Sequence, residues 1–232
     1  MNIVITGASI GIGYETALRF AEIKGNTVFV VARRIEKLKE LSGRKHEGKV
    51  IPVEIDLSAY DYSLLINEIN REGVSHIDTL IHNAGLLINK PFEELTGVEW
   101  EEIYRVNVIG AAQLTRALLP YMGGTMQSHI VTIGSIGGVR GSLKFAGLSA
   151  YSSSKGALGV LTECLAEEFK GRNIAVNCLA LGSVQTEMLT KAFPGYAAST
   201  SPVDISRYIY DFSTTGWRQF NGKILEVSST NP

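Results

Sequence analysis

Asn2-Ile3-Val4-Ile5-Thr6-Gly7-Ala8-Ser9-Ile10-Gly11-Ile12-Gly13 is an apolar run that passes directly into a glycine-rich turn. Apolar residues at helical spacing continue from residue 14 to 23, so the segment predicts a strand, a turn and a helix in that order. Glycines there let the backbone approach a pyrophosphate, whose charge is stabilised by free amide groups at the helix N-terminus. Glycines can also serve only to make a tight turn, but this setting favours a dinucleotide-binding unit.

The rest of the chain alternates between predicted strands and predicted helices. Apolar runs predict strands at residues 28–32, 50–55, 79–82, 130–133, 175–179 and 224–227. Helical patterns cover residues 13–24, 35–41, 62–72, 99–122, 151–169 and 204–212. This alternation favours an α/β fold with a Rossmann-type, doubly wound parallel sheet and helices on both faces. A chain of 232 residues, 45% of them hydrophobic, can bury one sizeable core, so we expect one domain over residues 1–232.

Tyr151 and Lys155 lie four residues apart on a predicted helix, which places both side chains on one face. A buried ammonium beside a phenol favours the phenolate, so we expect the pKa of Tyr151 to be lowered from its ordinary value. The phenol could then exchange protons near neutral pH as a general acid and base. The same spacing also arises by chance on solvent-facing helices, so it has little weight alone.

Together these motifs resemble the classical short-chain dehydrogenases/reductases over nearly the whole chain. Residues 6–13 fit the turn Thr-Gly-x-x-x-Gly-x-Gly of that family, and His82-Asn83-Ala84-Gly85 resembles its Asn-Asn-Ala-Gly element. The family's remaining signatures, which contain Asn107, Ser135 and the pair Tyr151 and Lys155, follow in the same order along this chain. The resemblance implies a nicotinamide cofactor and a catalytic group made of Asn107, Ser135, Tyr151 and Lys155.

The resemblance also implies a role for each catalytic residue. Tyr151 would exchange a proton with the substrate oxygen, Ser135 would hydrogen-bond that oxygen, and Lys155 would bind the nicotinamide ribose. Asn107 would hold a water molecule of a proton relay. Two alternatives stay open, because Ser135 could be an ordinary turn residue and Asn107 a helix-interior amide satisfied by backbone carbonyls. The cofactor-binding residues implied are Gly7, Ser9, Ile10, Gly11, Ile12, Gly13, Arg33, Arg34, Asp56, Leu57, Asn83, Ala84, Gly85, Tyr151, Lys155, Gly182, Val184 and Thr186.

The end of the second strand decides which nicotinamide cofactor is expected. Ala32 stands where NAD-binding relatives carry an acid, and Arg33 and Arg34 follow it. Cations just before a helix oppose its dipole, so their presence suggests a compensating anion such as a 2′-phosphate. We therefore expect NADP. NAD stays possible, because the family's basic residue within the glycine turn is missing and the arginines could merely solubilise the helix end.

Three departures from the family pattern affect the expected site. Leu181-Gly182 replaces the usual Pro-Gly, and His82 replaces an Asn, which we interpret as a structural change at a strand end. The substrate lid is expected to be short, at about residues 186–202. The last strand lacks the Asp-Gly-Gly that usually follows it, so we expect a homodimer or a homotetramer, with the dimer formed through the two long helices.

Composition excludes several other functions. A net charge of −1 gives no argument for nucleic acid or an anionic membrane as a partner. No apolar run is long enough to span a bilayer, and a core strand predicted from residue 2 suggests no signal peptide, so we expect a cytoplasmic protein. No metal site is expected. Cys164 and Cys178 are interpreted as buried small hydrophobic residues.

Two functions from different classes fit this sequence. The first is an NADP-linked oxidoreductase that interconverts a small-molecule carbonyl and a secondary alcohol. The second is a catalytically silent dinucleotide-binding sensor or scaffold of the same fold. The presence of all four catalytic residues favours the enzyme, since a sensor has no physical need of them.

Overall fold

The computed structural model describes residues 1–228 and contains one parallel sheet. Its strands, numbered in chain order, are β1 (Asn2–Thr6), β2 (Thr27–Ala32), β3 (Lys49–Glu54), β4 (Thr79–His82), β5 (Ser128–Ser135), β6 (Ile174–Leu181) and β7 (Ile224–Val227). They lie in the spatial order β3-β2-β1-β4-β5-β6-β7. The winding reverses between β1 and β4, and ligands of such sheets bind outside the carboxyl ends of the strands at this point.

Helices connect the strands. They are α1 (Gly11–Ala21), α2 (Ile35–Ser42), α3 (Ser63–Arg71), α4 (Gly97–Tyr104), α5 (Gly110–Leu118), α6 (Ser149–Glu168), α7 (Glu187–Ala192) and α8 (Pro202–Thr215). The predicted doubly wound parallel sheet is confirmed. One prediction is wrong in detail: residues 99–122 do not form a single helix, because a π-helical turn at Arg105–Ile109 separates α4 from α5.

The core has two layers, one on each face of the sheet. Ile3 and Ile5 face a layer that contains Phe20 of α1, and Val4 faces the opposite layer. The layer that Val4 faces includes side chains from α3, α5 and α6. The layer that Ile3 and Ile5 face is completed by side chains from α2 and α8. Strands covered on both faces need apolar residues at every position, which explains the continuous apolar runs in the sequence.

The two cysteines differ in burial. Cys178 is buried in β6, but Cys164 is exposed, so its predicted burial is wrong. Cys164 lies on the solvent face of α6, whereas Leu158 and Thr162 of the same helix point inward. In residues 1–228 we find no helix with the length and apolar character needed to cross a bilayer.

His82 and His129 are buried at the sheet and are held there by hydrogen bonds. His82 Nε2 lies 2.8 Å from Thr115 Oγ1, and His129 Nδ1 lies 3.1 Å from the carbonyl of Ser213. Burial lowers the pKa of His82 to about 3. Burial also lowers the pKa of His129 to about 4, against a smaller opposing effect of the Ser213 carbonyl. Both rings are therefore neutral in the folded protein at neutral pH.

Mild acid is therefore expected to destabilise the protein. The unfolded chain takes up protons on histidine near pH 6.5, whereas the folded chain does so only at the lowered pKa values, so stability is fully present above about pH 6.5 and falls below it. Between about pH 7.5 and about pH 5 the free energy of unfolding should fall by about 2 kcal/mol for each histidine. Urea unfolding at the two pH values measures this difference. His82→Asn should remove about half of it, and equal stability at both pH values would contradict the expectation.

Candidate active site

One cavity of about 860 Å³ collects nearly all of the predicted site residues. Residues that follow the carboxyl ends of β1, β2, β4, β5 and β6 line it. Of the predicted residues, Gly13 and Asn107 do not line the cavity. A volume near the upper end of the range for ligand pockets can hold a dinucleotide together with a small molecule.

The glycine turn is fastened to the segment after β4. Asn83 Nδ2 donates to the carbonyl oxygens of Thr6 and Gly7, at 3.0 and 3.1 Å. Thr6 Oγ1 in turn accepts from the backbone amides of Asn83 and Ala84, both at 3.1 Å. Gly7 has a φ of +67°, and an added Cβ would lie 2.8 Å from Ala84 Cα. Only glycine therefore fits here.

Gly13 does not line the cavity, and its surroundings indicate a packing role. A Cβ on Gly13 would lie 2.4 Å from Asn83 Nδ2 and 2.5 Å from the Gly7 carbonyl oxygen. Because Gly13 has no side chain, the start of α1 can pack directly against the glycine turn. Helix α1 has no side-chain cap at Ile10 and no acidic residue in its first turn. Its amide donors are thus left for an anion in the cavity.

Tyr151, Ser135 and Lys155 meet at one wall of the cavity. Tyr151 lies in the first turn of α6, and its phenol lies beside the hydroxyl of Ser135 at the end of β5. Lys155 follows one turn later, and its Nζ lies 5.8 Å from the centre of the Tyr151 ring. The side chain of Lys155 is only 5% exposed, and its Nζ donates to the carbonyl oxygen of Ile133 at 2.8 Å. The Tyr-Lys pair is therefore not on the solvent face of the helix.

The expected lowering of the pKa of Tyr151 is wrong. Burial raises the pKa of Tyr151 to about 12, and the hydrogen bond with Ser135 opposes this only partly. Burial also lowers the pKa of Lys155 to about 8. Desolvation disfavours both charged forms, and here it exceeds the attraction between ammonium and phenolate. Near neutral pH the phenol therefore keeps its proton.

Ser135 caps a turn and also lines the cavity. Its Oγ accepts a hydrogen bond from the backbone amide of Gly137 at 3.2 Å, which caps a short 3-10 turn. The same residue lines the cavity and contacts Tyr151. The turn fixes the position of the hydroxyl beside the phenol.

Asn107 lies behind the cavity in the π-helical turn and is 1% exposed. Its Nδ2 donates to the Leu86 carbonyl and to Ser154 Oγ, both at 2.9 Å. Its Oδ1 accepts from the Leu86 amide at 2.7 Å. Ser154 Oγ donates to the carbonyl oxygen of Tyr151 at 2.7 Å. The side chain of Asn107 thus joins the loop after β4 to the first turn of α6, and both of its amide hydrogens are already bonded.

The far end of the cavity carries the arginines. Arg33 and Arg34 are exposed at the start of α2, and Arg34 pairs with Glu187 at 3.9 Å. Asp56 Oδ1 accepts from the amide and hydroxyl of Ser58, so Asp56 caps a short turn as well as lining the cavity. Partial burial would raise the pKa of Asp56, but Ser58 and the charge of Arg33 outweigh it and hold the pKa below its ordinary value.

The segment expected as a lid contains α7 and contacts several loops. Thr186 Oγ1 caps this helix by accepting from the Leu189 amide at 3.2 Å. At the other end of α7, Asn89 Nδ2 donates to the Ala192 carbonyl at 2.7 Å. The ring of Phe193 lies 6.3 Å from that of Phe145, centre to centre. The segment therefore lies across the cavity from the arginines to the aromatic end.

Sequence reasoning did not name several of the residues that line the cavity, among them Leu86, Leu87 and Glu187. Leu86 and Leu87 line the cavity directly after the Asn83-Ala84-Gly85 element, so their position in the chain could have indicated them. Glu187 also lines it, and no sequence signal links it to Arg34. Within residues 1–228 we find no cluster of three or more His, Cys, Asp or Glu side chains that could hold a metal ion.

Comparisons with known proteins give consistent matches. A sequence model described as short chain dehydrogenase matches residues 1–197. The 3-oxoacyl-(acyl-carrier-protein) reductase of Thermotoga maritima is 32% identical over 204 residues, which are 85% of this chain and 79% of that protein.

Solved structures match over almost the full length. A short chain dehydrogenase from Escherichia coli CFT073, complexed with NADPH, is 30% identical with a TM-score of 0.83, covering 97% of this chain and 95% of that chain. The L-sorbose reductase of Gluconobacter frateurii, complexed with NADPH and L-sorbose, is 25% identical with a TM-score of 0.87, covering 99% and 95%. The similarity thus extends well beyond the glycine turn.

Proposed function

The chain belongs to the classical short-chain dehydrogenase/reductase family of oxidoreductases, and we propose that it interconverts a carbonyl compound and a secondary alcohol with NADP as cofactor. Lys155 is the residue on which this proposal depends most. A buried ammonium is costly, and this one lies between the Ile133 carbonyl and the Tyr151 ring in the wall of the ligand cavity. The buried ammonium beside a phenol and a serine hydroxyl supports a proton-transfer site more than a site for cofactor binding alone.

The residues present fit a dinucleotide. The uncapped start of α1 offers amide donors for the diphosphate, and the missing Cβ of Gly7 keeps the turn close to Ala84. Among residues 1–228, Arg33 forms no ion pair with a carboxylate, so its guanidinium is available for a 2′-phosphate. Similarity to a protein solved with NADPH supports the same choice. When bound, the nicotinamide supplies or accepts the hydride.

The protein's own residues then handle the proton. In the direction of reduction, Tyr151 donates its phenolic proton to the carbonyl oxygen of the substrate, and in oxidation it accepts that proton back. Ser135 hydrogen-bonds the same oxygen as negative charge develops there. Lys155 provides a positive charge beside the phenol and a donor for ribose hydroxyls. Asn107 acts as a positioning residue, since it fixes Leu86 and the turn that carries Tyr151.

Arg33→Ala is expected to remove the preference for NADPH. A charge-assisted hydrogen bond to phosphate is worth about 1.5–3 kcal/mol, so NADPH binding should weaken by roughly 10- to 100-fold, with NADH binding nearly unchanged. Titration of both cofactors by nicotinamide fluorescence measures the change. Arg207→Ala, an exposed arginine of α8 outside the cavity, is the matched control. Equal losses for both cofactors would indicate a packing role, and a wild type that prefers NADH would refute the NADP proposal.

A screen of carbonyl compounds tests the proposed activity as a whole. The purified protein is mixed with NADPH and a panel of ketones, and loss of nicotinamide fluorescence is followed. Turnover of at least one compound supports the enzyme. NADPH binding without turnover of any panel member would favour the alternative, a silent sensor of the same fold.

We also propose a homodimer or homotetramer. Ile109 of the π-helical turn and Val160 of α6 are exposed apolar side chains, 40% and 57% accessible in the single chain. Light scattering of the purified protein measures the assembly.

A further inference from the structure

We infer that the substrate is a neutral, largely apolar carbonyl compound, recognised by the aromatic pair Phe145 and Phe193. This inference rests on the proposed function, because it concerns the space beside Tyr151. It follows from where the apolar and charged lining residues of the cavity lie.

The apolar end of the cavity is the reactive end. Leu148 immediately precedes α6 and is three residues before Tyr151, so the two side chains lie on neighbouring positions of one helical face. The Leu148 amide donates to the Phe145 carbonyl at 3.3 Å, which places Phe145 one turn further from the phenol. Phe193 contacts Phe145 from the lid. A continuous row of apolar side chains therefore runs from the catalytic tyrosine to the lid.

The charged residues that line the cavity lie at its other end, have other bonding partners or face water. Arg33, Arg34 and Asp56 are at the opposite end, beside β2 and β3. Lys191 of α7 pairs with Glu187 at 2.5 Å and its side chain is 73% exposed, so its charge is solvated by water, and Lys155 is bonded to the Ile133 carbonyl. Among the described lining residues, none provides a desolvated, unpaired cation at the aromatic end. A carboxylate or phosphate on the substrate would lose its hydration there without gaining a partner.

A polyol substrate is disfavoured for a related reason. Near the phenol, the hydroxyl of Ser135 is needed to hydrogen-bond the reacting oxygen. The hydroxyl of Tyr196 already hydrogen-bonds Ser183 Oγ at 3.0 Å. Additional substrate hydroxyls would leave water and find mainly hydrocarbon walls. An aromatic or aliphatic body, by contrast, buries apolar surface against both phenylalanines.

Three probes of different polarity test this inference. Methyl 4-acetylbenzoate is a neutral aromatic ketone, 4-acetylbenzoate has the same ring with a carboxylate, and L-sorbose is a neutral polyol. Their dissociation constants are measured by calorimetry on the protein with and without saturating NADP⁺, and turnover is measured separately with NADPH. We expect the ester to bind at least about 10-fold more tightly than either other probe. Equal or tighter binding of the carboxylate or of L-sorbose, or no detectable binding of the ester, would overturn the inference.

Phe193→Ala tests whether the aromatic pair is the recognition element. Loss of the ring should weaken ester binding by about 10-fold and leave the carboxylate nearly unchanged. Phe193→Leu should recover most of the affinity, and Phe92→Ala, at a phenylalanine that is 69% exposed and outside the cavity, should have no effect. Unchanged NADPH binding shows that each variant is folded. Equal losses for the ester and the carboxylate in Phe193→Ala would contradict the assignment of recognition to the ring.

Binding and turnover separate the two proposals. Selective binding of the ester, with no reduction of any member of the carbonyl panel, would support the apolar site and refute the proposed enzyme. Reduction of carbonyls with no preference for the ester would support the enzyme and refute the apolar site.

Discussion

Tyr151→Phe is expected to lower turnover by at least about 100-fold while NADPH affinity stays the same. The phenolic proton is needed only in the chemical step, and the ring that packs beside Lys155 is retained. Turnover is measured as the steady-state rate with a carbonyl compound that the wild type reduces, and NADPH affinity is measured by fluorescence titration. Because burial raises the pKa of this phenol to about 12, its proton is present for donation at neutral pH.

Tyr208→Phe is the matched control for this experiment. Tyr208 is an exposed tyrosine of α8 that does not line the cavity, so its hydroxyl should be dispensable. If Tyr151→Phe retained more than about a hundredth of the wild-type rate, the usual size of a general-acid effect would be absent. The proton would then have to come from another group.

Lys155→Met is expected to weaken NADPH binding and slow the reaction together, each by roughly 10- to 100-fold. Methionine keeps much of the buried hydrocarbon and removes the ammonium that donates to the Ile133 carbonyl. Burial lowers the pKa of Lys155 to about 8, so the charge is present below that pH and lost above it. In the wild type NADPH affinity should therefore fall as the pH rises through about 8, and in the variant this dependence should disappear.

Lys170→Ala serves as the control for Lys155→Met, since Lys170 is exposed and outside the cavity. A variant that bound NADPH normally but reacted slowly would assign Lys155 to the proton step alone. Retained activity with an unchanged pH profile would contradict any role for its charge.

Much of the fold and the site could be predicted because the deciding signals are local in sequence. The apolar run before Gly7 and the alternation of strands and helices predict a parallel sheet, and its geometry brings the carboxyl ends of the strands together. The four-residue spacing of Tyr151 and Lys155 predicts a shared face. Each of these inferences depends on periodicity or on a conformation that only glycine adopts easily.

What could not be predicted depends on contacts between distant segments. The partner of Asn107 is Leu86, 21 residues away, and no periodicity indicates that pair. The sign of the pKa shift of Tyr151 depends on how deeply the pair is buried, which spacing does not report. The predicted burial of Cys164 is wrong because an apolar residue type does not show which face of a long helix the residue lies on. Helix α7 was missed because six residues are too few to show a period.

Helix α7 is held over the cavity by contacts of unequal strength at its two ends. Its first residue, Glu187, pairs with Arg34, and just after its last turn Phe193 contacts Phe145. The ion pair spans 3.9 Å between side chains that are 51% and 44% exposed, and surface pairs of this kind add little to stability. We therefore expect loss of the Phe193 ring to loosen the segment more than loss of the Glu187 charge.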